Sequence, residues 1–431
     1  MRITPCPPVG ELTFPEIPEF QSSVLPSGAE LHVLRREGAD LCMLTIVVPG
    51  GAPEAGSPAV SALRSVLLRE GTAAYSGERI ADLLDYNGAW LKQSDNSHFT
   101  VVTVYCLSSR LDVILPLLRD IVFNPTFPES AFLTRREALA KSIEISHKDV
   151  DFRSKCLSDA MIMGSGHPMA VTDTAESIRA ISRGEIIDFH NRITSPAHIR
   201  IILAGGVTPE IAAKVAETFS SISDAPSGSG LLNIVPFSPA PAGTYRSATL
   251  PGATQSAVNI VLPAVDRSHP DYLPLRLAVK ALGGYFGSRL MTNIREEKGL
   301  TYGIGASLLG MLDGAYIQIS ADTDNSSVGA LVEEVRHEME YLAENPPQGE
   351  ELLRFRRAMG SNLASLLETP YSVADYLASM LISGIRPGYF ARQVDILRGL
   401  TPDDIAAMAR KYLRPELLST AVAGDNLPAS V

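Results

Sequence analysis

The sequence predicts an α+β protein made of two tandem copies of one domain, and three observations lead there. The 431 residues exceed what one hydrophobic core ordinarily supports, so two units of roughly 200 residues are expected. Short β-branched runs are interspersed with helical patterns. The same landmarks also recur in both halves, offset by roughly 210 to 220 residues. Thr45-Ile-Val-Val-Pro49 is matched by Asn259-Ile-Val-Leu-Pro263; each is followed by a proline (Pro58, Pro270) and, thirteen residues later, by a glycine (Gly71, Gly283). Ile181-Ser182-x-x-Glu185 leads in fifteen residues to Pro196 and then Gly205, and Leu400-Thr401-x-x-Asp404 leads at the same spacing to Pro415 and Gly424. Two unrelated α/β domains sharing common caps and turns are the alternative.

In chain order, Gly28 to Arg36 and Leu41 to Val48 read as a hairpin entering a half-buried sheet. A Gly/Pro loop follows, then a helix from Ala59 to Glu70 that stops at Gly71, and a second helix from Ser76, its N-cap, to Tyr86. Leu91 to Asp95 and the alternating Phe99 to Leu107 read as strands. Leu111 to Phe123 is an amphipathic helix, a long helix ends near Ser146, and another starts near Asp151. Ser182-x-x-Glu185 is a capping box, and His198 to Leu203 returns to the sheet. Ser221 to Ala242, with Gly/Ser and then Pro236, Pro239 and Pro241, has linker composition, flexible where Gly/Ser dominates and stiffer where Pro does. The expected division is 1–220, linker 221–242, and 243–431.

Composition excludes several classes. With 45% hydrophobic and 20% charged residues this is an ordinary globular chain, and a formal charge of −11 argues against nucleic acid as a partner. No run approaches the roughly 20 apolar residues of a membrane span. Met1 to Glu19 is rich in Pro and acidic residues with only Arg2 basic, unlike a secretory signal. Cys6, Cys42, Cys106 and Cys156 form no CxxC pair, so a reduced, cytoplasmic setting is expected, with a periplasmic one left open if a leader has been removed. Cys106, inside a strand, reads as a small core residue.

The stretch Ala59 to Thr72 and the segment Gly283-Gly-Tyr-Phe-Gly-Ser-Arg-Leu-Met-Thr-Asn-Ile-Arg-Glu-Glu-Lys-Gly-Leu-Thr-Tyr-Gly303 carry a resemblance. With the repeat, they look like the small two-domain branch of the pitrilysin or insulinase-like zinc metallopeptidases, which includes processing-peptidase subunits and bacterial two-subunit proteases. The resemblance spans about residues 25 to 425. It implies that each half is a mostly antiparallel sheet covered on one face by helices, and that two halves or two subunits enclose a peptide chamber.

In that family a helix carries His-x-x-Glu-His shortly before Gly-Thr. Two imidazoles one turn apart hold Zn²⁺ while the Glu activates its water. Counting back from Gly71-Thr72 places Ala62, Ser65 and Val66 at those positions, and the third ligand, a later Glu, aligns with Ser142. Ala62 and Val66 have no lone pair to offer, and none of the eight histidines forms a pair three to five residues apart. Glu137 and Glu144 lie within about a turn of Ser142, so a register shift restores a carboxylate but not two imidazoles.

The resemblance further implies that Arg295 and Tyr302, seven residues apart, contact the substrate backbone and the carbonyl being cleaved from the domain opposite the zinc. The expectation is therefore a non-catalytic, substrate-binding subunit of a heterodimeric zinc metalloprotease. It holds no metal itself; a homologous partner with His-x-x-Glu-His holds the Zn, and peptide or unfolded polypeptide is the substrate. The alternative is a catalytically silent structural or peptide-binding subunit, like the core proteins of a respiratory complex, or a homodimer without peptidase activity. Gly283, Gly284 and Gly287 read as helix termination rather than a phosphate loop, and His167 in Gly164-Ser-Gly-His-Pro168 as structural.

Overall fold

The computed structural model describes residues 13, 14, 16–220, 222, 225–385 and 388–430. Most of the Met1 to Glu19 segment read against a secretory signal, with Cys6, lies outside the described residues. Eleven strands form two sheets among those described. The first contains β1 (Gln21–Val24), β2 (Glu30–Arg35), β3 (Leu41–Pro49), β4 (Trp90–Asp95), β5 (Phe99–Leu107) and β6 (Arg200–Gly205), in the order β1-β2-β6-β3-β5-β4. The second contains β7 (Tyr245–Thr249), β8 (Gln255–Ala264), β9 (Ile304–Gly310), β10 (Ala315–Asp324) and β11 (Ser419–Gly424), in the order β7-β11-β8-β10-β9. Without β1 the two orders superimpose strand for strand. In each, one pair is parallel (β2 with β6, β7 with β11) and the other pairs are antiparallel.

Helices cover both sheets, nine described in the first half and six in the second. The first half carries α1 (Ala52–Ala55), α2 (Pro58–Leu67), α3 (Gly77–Tyr86), α4 (Leu111–Phe123), α5 (Glu129–Ser146), α6 (Val150–Ile162), α7 (Ala175–Ala180), α8 (Arg183–Ile193) and α9 (Pro209–Ser220). The second carries α10 (Tyr272–Gly283), α11 (Val328–Glu344), α12 (Gly349–Ser365), α13 (Pro370–Ile382), α14 (Tyr389–Gly399) and α15 (Pro402–Tyr412). The paired capping boxes form as the sequence predicts: Ser182 with Glu185 opens α8 and Thr401 with Asp404 opens α15. Each of these helices leads through a 3₁₀ turn at Pro196 or Pro415 into the last strand of its half.

Two expectations are corrected. β2 and β3 are not a hairpin, because β6 lies between them: Ile201 faces Leu31 on one side and Ile46 on the other. Nor is the sheet half-buried. Leu44, Ile46, Leu203 and Ile201 pack under the first half's own helices, with Leu63 and Leu67 of α2 and Ile114 and Leu118 of α4. The alternate residues Met43, Val47, Ile202 and Ala204 meet Val373, Ala374 and Ala378 of α13, which comes from the second half. The exchange is reciprocal. α6 packs on β8 and β11 of the second sheet, where Ser154 Oγ donates to Ala421 O at 3.1 Å and Asn259 Nδ2 donates to Ser154 Oγ at 2.8 Å.

The connector is pinned rather than flexible over its described residues. Gly228 N donates to Thr194 O, Asn233 N to Glu54 Oε1, Val235 N to Asp313 Oδ1 and Ala240 N to Met161 O, all at 2.7–2.9 Å. Three of these acceptors lie in the first half and one, Asp313, in the second, so the connector is tied to both. No helix of the described residues is long and apolar enough to cross a membrane.

Candidate functional site

α2 forms because Ser57 caps it, its hydroxyl accepting from Val60 N, with Pro58 in the first turn. Asp173 reinforces the start, accepting from Ala59 N at 2.9 Å and from Ser57 Oγ at 3.3 Å. One face is anchored by Leu63 and Leu67, both at most 1% exposed, and each contributes about 2 kcal/mol by burial. Ala62 and Val66 lie half-buried, Ser65 is buried, and α5 packs alongside with Ser142 exposed. Glu137 and Glu144 do not turn toward α2 as ligands; Arg179 holds both, at 3.0 and 2.9 Å. Two aliphatic groups and two hydroxyls do not fit Zn²⁺, which takes thiolate, imidazole or carboxylate donors. Among the described residues no group of three His, Cys, Asp or Glu gathers in a metal-holding arrangement.

Beneath those positions lies a buried polar network instead. Arg64, fully buried, donates to Thr194 Oγ1 at 3.0 Å, Thr100 Oγ1 at 3.3 Å and Gly50 O at 3.4 Å, and its guanidinium lies 5.5 Å from the Phe189 ring centre. Burial lowers the guanidinium to about 10, against the attraction of Asp95, so it stays charged at neutral pH. Burial raises the Asp95 carboxyl, while hydrogen bonds from Thr100, at 2.8 Å, and Ser65 and the Arg64 charge pull it back. His190, desolvated and beside Arg64, falls to about 3 and is neutral. Ser65, which the resemblance aligns with the family's general base, thus serves a structural hydrogen bond.

The second half presents a different surface. α10 ends at Gly283, where an added Cβ would meet Ala306 Cβ at 2.7 Å, and Gly284 N donates to Lys280 O at 2.9 Å. The glycines therefore end a helix and admit a close strand, as expected. The segment Met291–Glu297 is π-helical, closed by Lys298 N to Asn293 O at 3.0 Å. Leu290 and Ile294 point into the core, and Asn293 Nδ2 donates to Glu338 at 2.8 Å and Glu334 at 3.0 Å on α11. Arg295 faces outward, 5.0 Å over the ring of Phe286, itself 66% exposed. Tyr302, in the turn before edge strand β9, is 91% exposed.

Sequence reasoning missed one cluster. Glu54, His98 and Asp313, all buried, meet at the seam: His98 Nδ1 is 2.7 Å from Glu54 Oε1 and Nε2 is 2.5 Å from Asp313 Oδ2. His167 sits nearby, its Nε2 2.8 Å from Val235 O and 4.0 Å from Asp313 Oδ1, which gives it the structural place expected. Cys42 and Cys106 also pair across β3 and β5, both buried with Sγ atoms 3.6 Å apart, so Cys106 is a core residue.

The peptidase M16 inactive domain profile matches residues 180–359. An uncharacterized zinc protease of Streptomyces coelicolor is 23% identical over 81% of this chain and 78% of its own length. The crystal structure of a peptidase M16 inactive domain from Pseudomonas fluorescens superimposes with a TM-score of 0.86, at 22% identity, over 96% of this chain and all of that one. Residues 180–359 thus match the M16 inactive domain, and the chain is similar over most of its length to M16, insulinase-like peptidases. It is a relative of that family without the metal-binding motif, built on the same fold. The periplasmic protease PqqL of Escherichia coli superimposes with a TM-score of 0.78 at 16% identity; 97% of this chain matches 48% of that one.

Proposed function

We propose that this chain is the non-catalytic, substrate-binding subunit of a heterodimeric zinc metalloprotease. A homologous partner with an intact His-x-x-Glu-His holds the zinc and its base, and this chain supplies Arg295, Tyr302 and half of the chamber. The observation that carries the reading is the accessibility of that pair, Tyr302 exposed and Arg295 half-buried. Arg295, over a phenylalanine 66% exposed, sits on a π-helical turn anchored from below, and Tyr302, 91% exposed, stands in the turn that follows it before β9. Rigid aromatic and arginine groups left uncovered on a fixed scaffold are the composition of an interface core rather than of an idle surface. That this chain matches about half of PqqL supports a chamber built from two such units.

Two sheet edges suit an extended peptide. β4 borders the first sheet and is tied to α2 by Gln93 Nε2 donating to Ser65 O at 2.9 Å; β9 borders the second, directly after Tyr302. An unpaired edge offers a ladder of main-chain groups to a substrate strand. The Arg295 fork then has carbonyl oxygens to hold, and the Tyr302 hydroxyl an oxyanion to stabilise.

The test is reconstitution with a homologue bearing His-x-x-Glu-His. The mixture hydrolyses peptides that neither chain cleaves alone, and Arg295→Ala or Tyr302→Phe lowers kcat by about 10- to 100-fold. Unchanged turnover in both variants removes the assignment and leaves the silent, structural subunit.

A further inference from the structure

α10, α12 and α14 line a cavity of about 230 Å³, open on one side, in the second half. Its walls are aliphatic, with Leu277 from α10, Met359 and Leu363 from α12 and Leu397 from α14. The ionisable groups lining it are Arg276 and Lys280, one turn apart on α10, and no acid lines it. Arg276 Nη1 donates to Gln393 Oε1 at 3.1 Å; Gln393, only 7% exposed, donates in turn to the Tyr376 hydroxyl at 3.0 Å. That relay fixes the guanidinium at the cavity and leaves its other N–H groups without a protein acceptor among the described residues. Lys280 has no hydrogen bond or ion pair with the described residues. Two half-buried cations side by side repel each other, and burial with the Arg276 charge lowers the Lys280 ammonium.

The repeat makes the contrast plain. Arg276 stands seven residues before Gly283 as Arg64 stands seven before Gly71. Arg64 is fully buried and spent on Gly50, Thr100 and Thr194. Arg276, at the same register, is held by one amide and faces a cavity. The first-half arginine is consumed inside the core; the second-half arginine is left at a cavity.

We propose that this cavity binds a monocarboxylate on a compact aliphatic body. An engineered cavity of about 150 Å³ accepts benzene, so the present one holds about eight or nine non-hydrogen atoms. A guanidinium fork and an ammonium suit the two oxygens of one carboxylate, and the apolar walls suit a branched hydrocarbon rather than a hydrated dianion. This is the chemistry of a peptide carboxyl terminus ending in leucine and of a free short-chain acid. The site lies within one chain and does not depend on the proposed partner.

The experiment is calorimetric titration of the full chain, alone, with 4-methylpentanoate, with a short peptide ending in leucine, and with the amide of each. At least one acid binds at millimolar concentration or below. Its amide binds about tenfold more weakly, and so does the acid to Arg276→Gln and to Lys280→Met, each verified as folded by its thermal transition. Leu363→Trp, which fills the cavity without altering charge, abolishes binding. A tighter peptide assigns the site to polypeptide termini, and a tighter free acid to a small metabolite. No binding of either acid, equal binding of acid and amide, or unaltered binding in the Leu363→Trp protein overturns the proposal.

Discussion

His98 Nε2 lies 2.5 Å from Asp313 Oδ2 while its Nδ1 lies 2.7 Å from Glu54 Oε1, so one buried imidazole joins the two halves. Burial by itself would lower that ring, but the hydrogen bonds to Asp313 and Glu54 outweigh it and raise the ring to about 9. A folded-state pKa above the unfolded value means the folded chain binds more protons. The stabilisation is therefore complete below about pH 6.5 and is lost as pH rises through 9, when a neutral ring faces two buried carboxylates. Urea unfolding at pH 6 and pH 9.5 is expected to differ by about 3 kcal/mol, and His98→Gln removes most of the difference. A His98→Gln protein with the same pH profile as the parent rules this out.

Arg64 is expected to be the costliest single residue of the first half to truncate. Arg64→Ala leaves Thr100, Thr194 and Gly50 O short of a donor and the neighbouring Asp95 carboxylate without its countercharge. The loss is about 3–5 kcal/mol in equilibrium unfolding. Arg64→Ala with Asp95→Asn recovers part of it, because the stranded charge is gone.

Much of this fold was legible because its signals are local. Ser76, Ser182 and Thr401 cap helices where their spacing says they should, and α10 ends at Gly283 as expected, whereas α2 stops at Leu67, four residues before Gly71, which instead bridges to Ser76. Non-local pairing was not legible. β6 enters between β2 and β3 from more than 150 residues downstream, and no periodicity within a strand reports its neighbour. The His98 cluster escaped for the same reason: its carboxylates lie 44 and 215 residues away, so no motif spacing exists to find. That Ala62, Val66 and Ser142 offer no zinc donor, by contrast, follows from their residue types once the resemblance aligns them with the ligand positions.

Restoring donors should restore a metal. Ala62 and Val66 are half-buried on one face of α2 and Ser142 is exposed on the packed α5, so side chains can be added there without entering the core. The Ala62→His, Val66→His, Ser142→Glu protein is expected to take up about one zinc per chain by elemental analysis, and the parent far less. Ser65→Glu carries a separate cost, because that side chain is buried against Asp95.

Arg295 and Tyr302 should separate from their anchor in stability measurements. Arg295→Ala and Tyr302→Phe change unfolding free energy by no more than about 0.5 kcal/mol, since neither side chain is buried. Asn293→Ala, two residues before Arg295, costs about 1–2 kcal/mol by leaving buried Glu338 without its donor. Equal costs at Asn293 and Arg295 would show that the outer face of the π-helical turn is structural too.

The exchanged helices make the two halves interdependent. Without α13, the face formed by Met43, Val47, Ile202 and Ala204 is open to water; without α6, Asn259 and Ala421 O lose Ser154. Residues 1–220 expressed alone are therefore expected to aggregate or bind a hydrophobic dye, and to become soluble when 243–431 are co-expressed. The intact chain is expected to unfold in one calorimetric transition, because neither sheet can open one face without removing a helix from the other. Val373→Asp, placed in the second half, tests this most directly. It puts a carboxylate on Met43 and Val47 and should lower the first half's hydrogen-exchange protection as much as the second's. Loss confined to the second half would mean that the packing of α13 on the first sheet contributes little to stability.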